Sequence, residues 1–237
     1  MFDILNPNAS LVATNYNFQN SDEFKQKLEE KNIIQKFNLT SVEPKIQGPK
    51  PDETIYSQIK GFFPVIYQSE DLKIQVIYTS QDARLVVEKM NLTKDTYKSF
   101  QDLSSDITDF KLSDIKEIGL NFFGNFNLQN GKLLLLNSQL AKNLTDFSKN
   151  KNFEIVLPLD FPERNLTATY RVSKVTGGDN SGEDRIYRIS VNNHFNLSSL
   201  STIDKIEKLK EILNYSLYEE FLANCQSILK INSGEVQ

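Results

Sequence analysis

The sequence of 237 residues predicts an α+β fold in which an antiparallel sheet carries helices on one face. Three observations indicate this class. Short runs of β-branched and aromatic residues follow one another across polar linkers, which is typical of antiparallel meanders. Apolar residues recur at helical spacing in 93–110 and in 201–230. The order of strands and helices also runs twice along the chain, which predicts two β-α-β(n)-α units in tandem.

The first predicted unit comprises residues 1–112. It opens with a strand at Leu11–Phe18 and a surface helix that begins at Asn20 or Ser21, because acidic residues follow in the first turn. Prolines and a glycine predict a loop over 41–53. The remaining elements of this unit are three strands and one helix, predicted at 62–67, 72–78, 83–88 and 93–110.

The predicted strand at 72–78 indicates that one face of the sheet is exposed to water. Apolar and polar residues alternate along it, and alternate residues of a strand point to opposite faces. The apolar set is Leu72, Ile74, Val76 and Tyr78, and the polar set is Lys73 and Gln75.

The second predicted unit comprises residues 113–237 and follows the first without a linker. Only four residues separate the helix ending at Phe110 from the strand beginning at Ile115. We therefore expect one continuous globular domain in which the two units share a sheet or a core. The predicted elements of this unit are strands at 115–128, 132–136, 153–159, 166–172 and 186–191, a tight turn at Asn130-Gly131, a short helix at 139–147, a loop at 177–184 and a long helix at 201–230.

The long C-terminal helix is predicted to begin at Ser201, with Asp204 as its partner in a capping box. One apolar stripe runs along its whole length, and a stripe this long predicts that the helix covers a sheet. The alternative is a homodimer in which two such helices form a coiled coil. The stripe consists of Ile203, Ile206, Leu209, Leu213, Leu217, Phe221, Cys225 and Ile228.

Composition and charge disfavour several classes of protein. The net charge is −4 and no basic block is present, which disfavours nucleic-acid binding. The longest apolar run, Leu133–Leu136, is far shorter than the roughly 20 residues that span a bilayer, so we expect no membrane insertion. The N-terminus lacks the features of a signal peptide, and the single Cys225 has no internal partner for a disulfide. These features predict a cytoplasmic protein.

The sequence contains no constellation that is typical of catalysis or of cofactor binding. His194 and Cys225 are each the only residue of their kind, so no ligand set for zinc is expected. No glycine-rich nucleotide loop and no Gly-x-Ser-x-Gly motif occurs. We therefore expect no metal and no cofactor, and an enzymatic role is disfavoured without being excluded.

Arginine placement is the one feature that suggests a binding site. Only five arginines occur, and four of them lie within Arg164–Arg188. If 165–175 pairs with 185–195, two of these arginines share a sheet face with amide, hydroxyl and imidazole groups, which suit an anion or an acidic segment of a partner. The alternative is the ordinary wet face of an antiparallel sheet. The candidate binding residues are Arg164, Arg171, Arg188, Asn192 and His194.

Three features occur in order along the chain: a strand-helix start, a middle strand entered as in Glu117-Ile-Gly-Leu-Asn-Phe-Phe123, and a late strand that runs into an amphipathic helix at Tyr187–Leu229. In this order of elements the chain resembles a sporadically distributed, functionally uncharacterised family of bacterial proteins. The arginine and tyrosine that the family pattern has around Leu120-Asn-Phe are missing. The resemblance implies a bacterial origin, and it transfers no catalytic residues.

These observations favour a non-catalytic binding or interaction protein of the bacterial cytosol. Its binding surface would be the exposed sheet face or the groove between the two units, and its partner another protein. The first alternative is an anion-binding or small-ligand-binding domain, or an enzyme, that uses the face of Arg171, Arg188 and His194. The second is nucleic-acid binding by a saddle-like sheet.

Overall fold

Nine strands form one antiparallel sheet in the computed structural model of the protein, which confirms the predicted α+β class. The structure describes residues 4–43, 52–54, 56, 63–127, 133–134, 154–174, 186–228 and 230–231. The strands of the large sheet are β1 (Leu5–Thr14), β2 (Thr40–Val42), β3 (Val65–Ser69), β4 (Ile74–Thr79), β5 (Arg84–Lys89), β6 (Glu117–Asn127), β8 (Glu154–Phe161), β9 (Leu166–Lys174) and β10 (Ile186–Asn196). A separate two-stranded sheet pairs β7 (Leu133–Leu134) with β11 (Lys230–Ile231).

Five α-helices accompany these strands in the described residues. They are α1 (Ser21–Glu30), α2 (Ile33–Lys36), α3 (Lys94–Thr108), α4 (Thr202–Ile212) and α5 (Tyr215–Ile228). Asn20 caps α1, since its side chain accepts a hydrogen bond from the backbone N–H of Glu23, and Thr93 caps α3 in the same way through Thr96. Ser201 caps α4, since its side chain accepts a hydrogen bond from the backbone N–H of Asp204, and the sequence predicts this start of the helix.

The strands of the two predicted units meet at the centre of the large sheet, where β1 pairs with β6. Outward from β1 the order is β5, β4, β3 and β2, and outward from β6 it is β10, β9 and β8. In each half the first strand in sequence therefore lies beside the last one. The order of strands is mirrored about the β1–β6 pair, and a single sheet contains strands from both halves of the chain.

The helices pack on one face of this sheet and form the core with it. The ring centroids of Phe24 in α1 and Tyr78 in β4 lie 4.8 Å apart, and those of Phe122 in β6 and Phe221 in α5 lie 5.7 Å apart. Tyr16, which follows β1, donates a hydrogen bond of 2.6 Å to the carbonyl oxygen of Ile107 in α3. The buried strand residues alternate with exposed ones, so the opposite face of the sheet carries a second, largely polar set of side chains.

The prediction of a single long helix at 201–230 is wrong, because the segment forms two helices, α4 and α5, with a break between them. Asn214 lies at the break, where its side chain accepts from the backbone N–H of Ser216 at 2.9 Å and its carbonyl oxygen accepts from the hydroxyl of Tyr97 at 3.3 Å. Because of the break, the residues of α4 that face the core are Lys205, Leu209 and Ile212. Ile203 is therefore 74% exposed and Ile206 38% exposed, so the predicted stripe is buried only from Leu209 onward in the described residues.

Other boundaries differ from the predicted ones for local reasons. β1 ends at Thr14 because Asn15 has a left-handed backbone with φ of 60°, which breaks the extended strand. The predicted loop at 41–53 begins with residues of β2, which pair with β3. Leu133–Leu134 is a strand as predicted, but it pairs with Lys230–Ile231. The turn at Asn130-Gly131, the helix at 139–147 and the loop at 177–184 lie outside the described residues.

Two glycines of β6, Gly124 on the core face and Gly119 on the opposite face, allow a test of the packing around Gly124. A Cβ at Gly124 would overlap Cγ2 of Ile4, whereas a Cβ at Gly119 would lie in ordinary contact, at 3.5 Å or more from its neighbours. We expect Gly124→Ala to lower the free energy of unfolding by about 1–3 kcal/mol, because the segment before β1 must shift. Gly119→Ala is the control and should change it by less than about 0.5 kcal/mol. Urea denaturation measures both, and equal effects would contradict this account of Gly124.

Candidate functional site

The sheet face opposite the helices is the candidate functional surface, and we call it the open face. No helix of the described residues covers it. It carries the strand residues that alternate with the buried core residues, and the pairing register places them side by side across the sheet. Ser10 in β1, for example, lies opposite Asn121 in β6, which in turn lies opposite Asn192 in β10.

One row of side chains on the open face is entirely apolar across five neighbouring strands. We call this row the apolar ladder, and it consists of Val42, Ile66, Ile77, Val86 and Val12. Each member pairs directly with the next, and each is partly exposed. Because neighbouring strands lie about 4.8 Å apart, the apolar ladder extends over about 19 Å. Gly119 in β6 follows in the same row and contributes no side chain.

A groove of about 490 Å³ lies over the centre of the apolar ladder. Its lining includes Val12, Ile77 and Val86 from the ladder. Charged side chains also line it, namely Asp82, Arg84 and Glu88. The groove is thus apolar along its floor and carries both signs of charge at its borders.

The open face also carries four of the five predicted binding residues. Arg171 in β9 lies opposite Ser190, whereas Arg188, Asn192 and His194 follow one another along β10. Arg188 and His194 are six residues apart on an extended strand, which corresponds to about 20 Å. One small anion therefore cannot contact both of these side chains. Arg171 already forms an ion pair of 3.5 Å with Glu154 of the neighbouring strand.

Arg164 does not join the other four predicted residues. It lies in a 3₁₀ turn at Pro162–Arg164, and its guanidinium contacts the carboxylate of Glu220 in α5 at 3.3 Å. The guanidinium also lies 5.8 Å from the ring centroid of Phe161. Because α5 packs on the core face, this arginine connects the sheet to a helix instead of facing the open side.

His194 lines a second, smaller pocket of about 360 Å³ at the far side of the open face. Its neighbours there include Asp160, Thr167 and Asn196, and the hydroxyl of Thr167 donates to the carboxylate of Asp160 at 2.9 Å. Among the described residues, no cluster of three or more histidine, cysteine, aspartate or glutamate side chains is arranged to hold a metal ion. The pocket offers a polar contact surface.

Cys225 is not a nucleophile in this structure. It is fully buried in α5, and burial raises the pKa of its thiol far above the usual value, so the reactive thiolate does not form near neutral pH. Phe221 and Leu217 of the same helix are apolar and buried as well, which agrees with a structural role for Cys225.

The strands of the open face are not basic. Their described charged residues are Arg84, Arg171, Arg188, Glu88, Glu117, Glu154 and Asp160. Three positive charges thus stand against four negative ones, and no lysine lies among them. A surface that binds the phosphates of nucleic acid has the opposite balance.

Sequence reasoning missed the apolar ladder. Its signal lies in short runs of consecutive apolar residues, such as Val76-Ile77-Tyr78 and Leu85-Val86-Val87, which indicate strands that are apolar on both faces. Each run indicates that one apolar side chain of its strand lies on the open face. Their alignment into one row depends on the pairing register of five strands.

Comparisons with known proteins supply no functional assignment. A scan against protein-family models finds no match to this chain, and a search of the curated proteins finds none either. None of the helices in the described part of the chain is long and apolar enough to cross a membrane.

Proposed function

We propose that the protein is a non-catalytic binding protein that holds a partner protein on the open face of its sheet. The apolar ladder is the observation that carries this proposal. Five partly exposed β-branched side chains form a continuous row on a face without a covering helix among the described residues. Contiguous apolar surface with a polar border is typical of protein interaction sites.

The dimensions of the open face support a protein partner. Nine strands at about 4.8 Å spacing give a width of about 38 Å. A standard protein–protein interface buries about 800 Å² on each side, which such a face accommodates. The apolar ladder supplies the apolar centre, and the amide and hydroxyl groups of Asn121, Asn192 and Thr169 supply the polar border that such interfaces have.

The proposal includes a bacterial, cytoplasmic setting. It is supported by the single Cys225, which has no partner for an internal disulfide, and by the family resemblance in the order of elements. The mirrored order of strands about the β1–β6 pair supports an origin of the two units by internal duplication.

Photo-crosslinking tests the proposed function directly. A photoreactive phenylalanine analogue at Ile77 should form a discrete adduct with a protein from a host lysate, because this side chain lies within the groove. The same analogue at Met90, which is 61% exposed but lies outside the groove, is the control and should form no such adduct. Mass spectrometry identifies the crosslinked protein, and Val12→Asp should suppress the adduct from Ile77.

The same experiment separates the alternatives. Arg188→Ala and His194→Ala should leave the adduct from Ile77 intact if the apolar ladder forms the centre of the interface. If these variants instead abolish a phosphate-dependent rise in thermal stability, the anion-binding alternative is favoured. Identical adducts from Ile77 and Met90, or none from either, would count against the proposed function.

A further inference from the structure

The edges of the large sheet disfavour an extended strand as the bound element. A strand that adds to a sheet needs a free edge with unbroken backbone donors and acceptors. One edge is β2, which has three residues, and the other is β8, which contains Pro158 in its middle. Proline has no backbone N–H and is found at edges that resist pairing. The edges of the sheet are therefore poor sites for strand addition, which favours a partner that binds the open face without pairing to an edge.

The shape of the apolar ladder fits a helix. It is one side chain wide, and polar side chains flank it on both sides along the same strands, with Gln75 and Glu88 on one side and Thr79 and Arg84 on the other. An amphipathic helix likewise presents a narrow apolar stripe between polar flanks. A helix that crosses the strands along the ladder advances about 5.4 Å per turn, close to the strand spacing of about 4.8 Å, and about 13 residues span the ladder.

The charges beside the ladder indicate which helix fits. Glu88 is half-buried at the border of the groove and has no ion-pair partner within the described part of the chain. Arg84 and Asp82 lie on the other side, where Asp82 accepts a hydrogen bond from the hydroxyl of Thr79 at 2.5 Å. A lysine or arginine on the occupant would neutralise Glu88 once the interface excludes water.

We infer that the open face binds an amphipathic helix of a partner protein, with its apolar stripe on the apolar ladder and a basic residue beside Glu88. This inference rests on the proposed function and adds the chemistry of the occupant. A second copy of this chain presenting its own open face fits less well, because the described strand residues on that face include more acidic than basic side chains and no lysine.

Two synthetic peptides of about 16 residues and identical composition test the inference. In one, leucines recur at helical spacing with lysines along one flank; in the other, the same residues alternate in the strand pattern. Fluorescence anisotropy of labelled peptides should show that the helical pattern binds at least about tenfold more tightly, because only this pattern gathers the leucines into one stripe when the peptide is helical. Equal binding, tighter binding of the alternating peptide, or no binding of the helical one would overturn the inference.

Variants of the protein locate the binding surface. Val86→Asp should weaken binding of the helical peptide at least about tenfold, because it places a charge in the centre of the ladder. Val156→Asp is the matched control, since Val156 lies on the same face but on the edge strand β8, and it should leave binding unchanged. Similar effects of the two substitutions would show non-specific adsorption and overturn the inference.

Charge reversal provides a test that does not depend on the stability of a core-like position. Glu88→Lys should weaken binding of the lysine-flanked peptide. A peptide with glutamates in place of those lysines should bind this variant more tightly than the lysine-flanked peptide does. If the glutamate-flanked peptide binds the Glu88→Lys variant no more tightly than it binds the wild-type protein, the inferred basic residue beside Glu88 is wrong. A different outcome is that a lysate protein crosslinks at Ile77 while the helical peptide fails to bind. This result would support the proposed function and contradict only the inference that the bound element is a helix.

Discussion

Replacing Lys205 by methionine is expected to lower the free energy of unfolding by about 2–4 kcal/mol. Lys205 lies in α4 and is 5% exposed. Its ammonium group donates to the carbonyl oxygens of Ser113 at 2.8 Å and Ile115 at 2.7 Å, in the segment that joins the two halves of the chain. Methionine keeps the apolar stem but leaves these carbonyl groups without their donor. Urea denaturation with a two-state fit measures the loss.

Lys210→Met on the same helix is the matched control for Lys205→Met. Lys210 is exposed and forms a surface ion pair with Glu207 at 3.0 Å, so its replacement should change stability by less than about 0.5 kcal/mol. A comparable loss in both variants would show that the effect belongs to lysine removal from α4 in general. A negligible loss for Lys205→Met would mean that the two carbonyl groups find other donors.

Stability is expected to fall steeply above about pH 10, because several tyrosines are buried with their hydroxyl groups protonated. Burial raises the pKa of Tyr170 and Tyr218 to about 12, and burial also raises the pKa of Tyr16 and Tyr97 above the usual value. A raised pKa means that the folded state keeps a proton that the unfolded state releases above about pH 10. The stabilisation is therefore complete below that pH and is lost as the pH rises toward the folded-state pKa.

The expected size of the alkaline effect is large. Tyr16 and Tyr97 each contribute a loss of about 1.4 kcal/mol per pH unit, or about 3 kcal/mol per unit together. Tyr170 and Tyr218 add to it in the same direction. Since domains are stable by about 5–15 kcal/mol, unfolding should occur within one to a few pH units above about pH 10.

Two spectroscopic signals measure the alkaline transition. The last part of the rise in tyrosinate absorbance should coincide with the loss of far-ultraviolet circular dichroism in one steep step, because the buried hydroxyls ionise only when the chain unfolds. Tyr97→Phe removes one such proton and should make the pH dependence shallower by about 1.4 kcal/mol per pH unit. Ionisation of all nine tyrosines with the sheet still intact would contradict this expectation.

The elements that depend on local sequence could be predicted. Thr93 and the apolar spacing of Tyr97, Phe100, Leu103 and Ile107 define α3, and all four of these side chains are buried. The meander β3-β4-β5 follows from alternation and short linkers. The pairing of β9 with β10 places Arg171 and Arg188 on one face, as expected from the alternation of side chains along paired strands.

The elements that depend on distant contacts could not be predicted. The position of Arg164 is decided by Glu220 in α5, and no local pattern connects these two residues. The break before α5 has a local signal in Asn214-Tyr-Ser216, since asparagine is a good N-cap, but the apolar spacing continues across it and conceals it. The apolar ladder depends on the pairing register of five strands. That register is set by contacts between strands and cannot be read from any one strand.

The central position of β1 has a consequence for how the chain folds during synthesis. β1 leaves the ribosome before both of its neighbours, β5 and β6, and Leu11 reaches its partner Leu120 only when the long segment between them has been made. Contacts between residues so distant in sequence slow folding. Until β6 arrives, one edge of β1 is an unpaired template for other nascent chains. The first half of the protein is therefore most exposed to misassembly while the second half is still being translated.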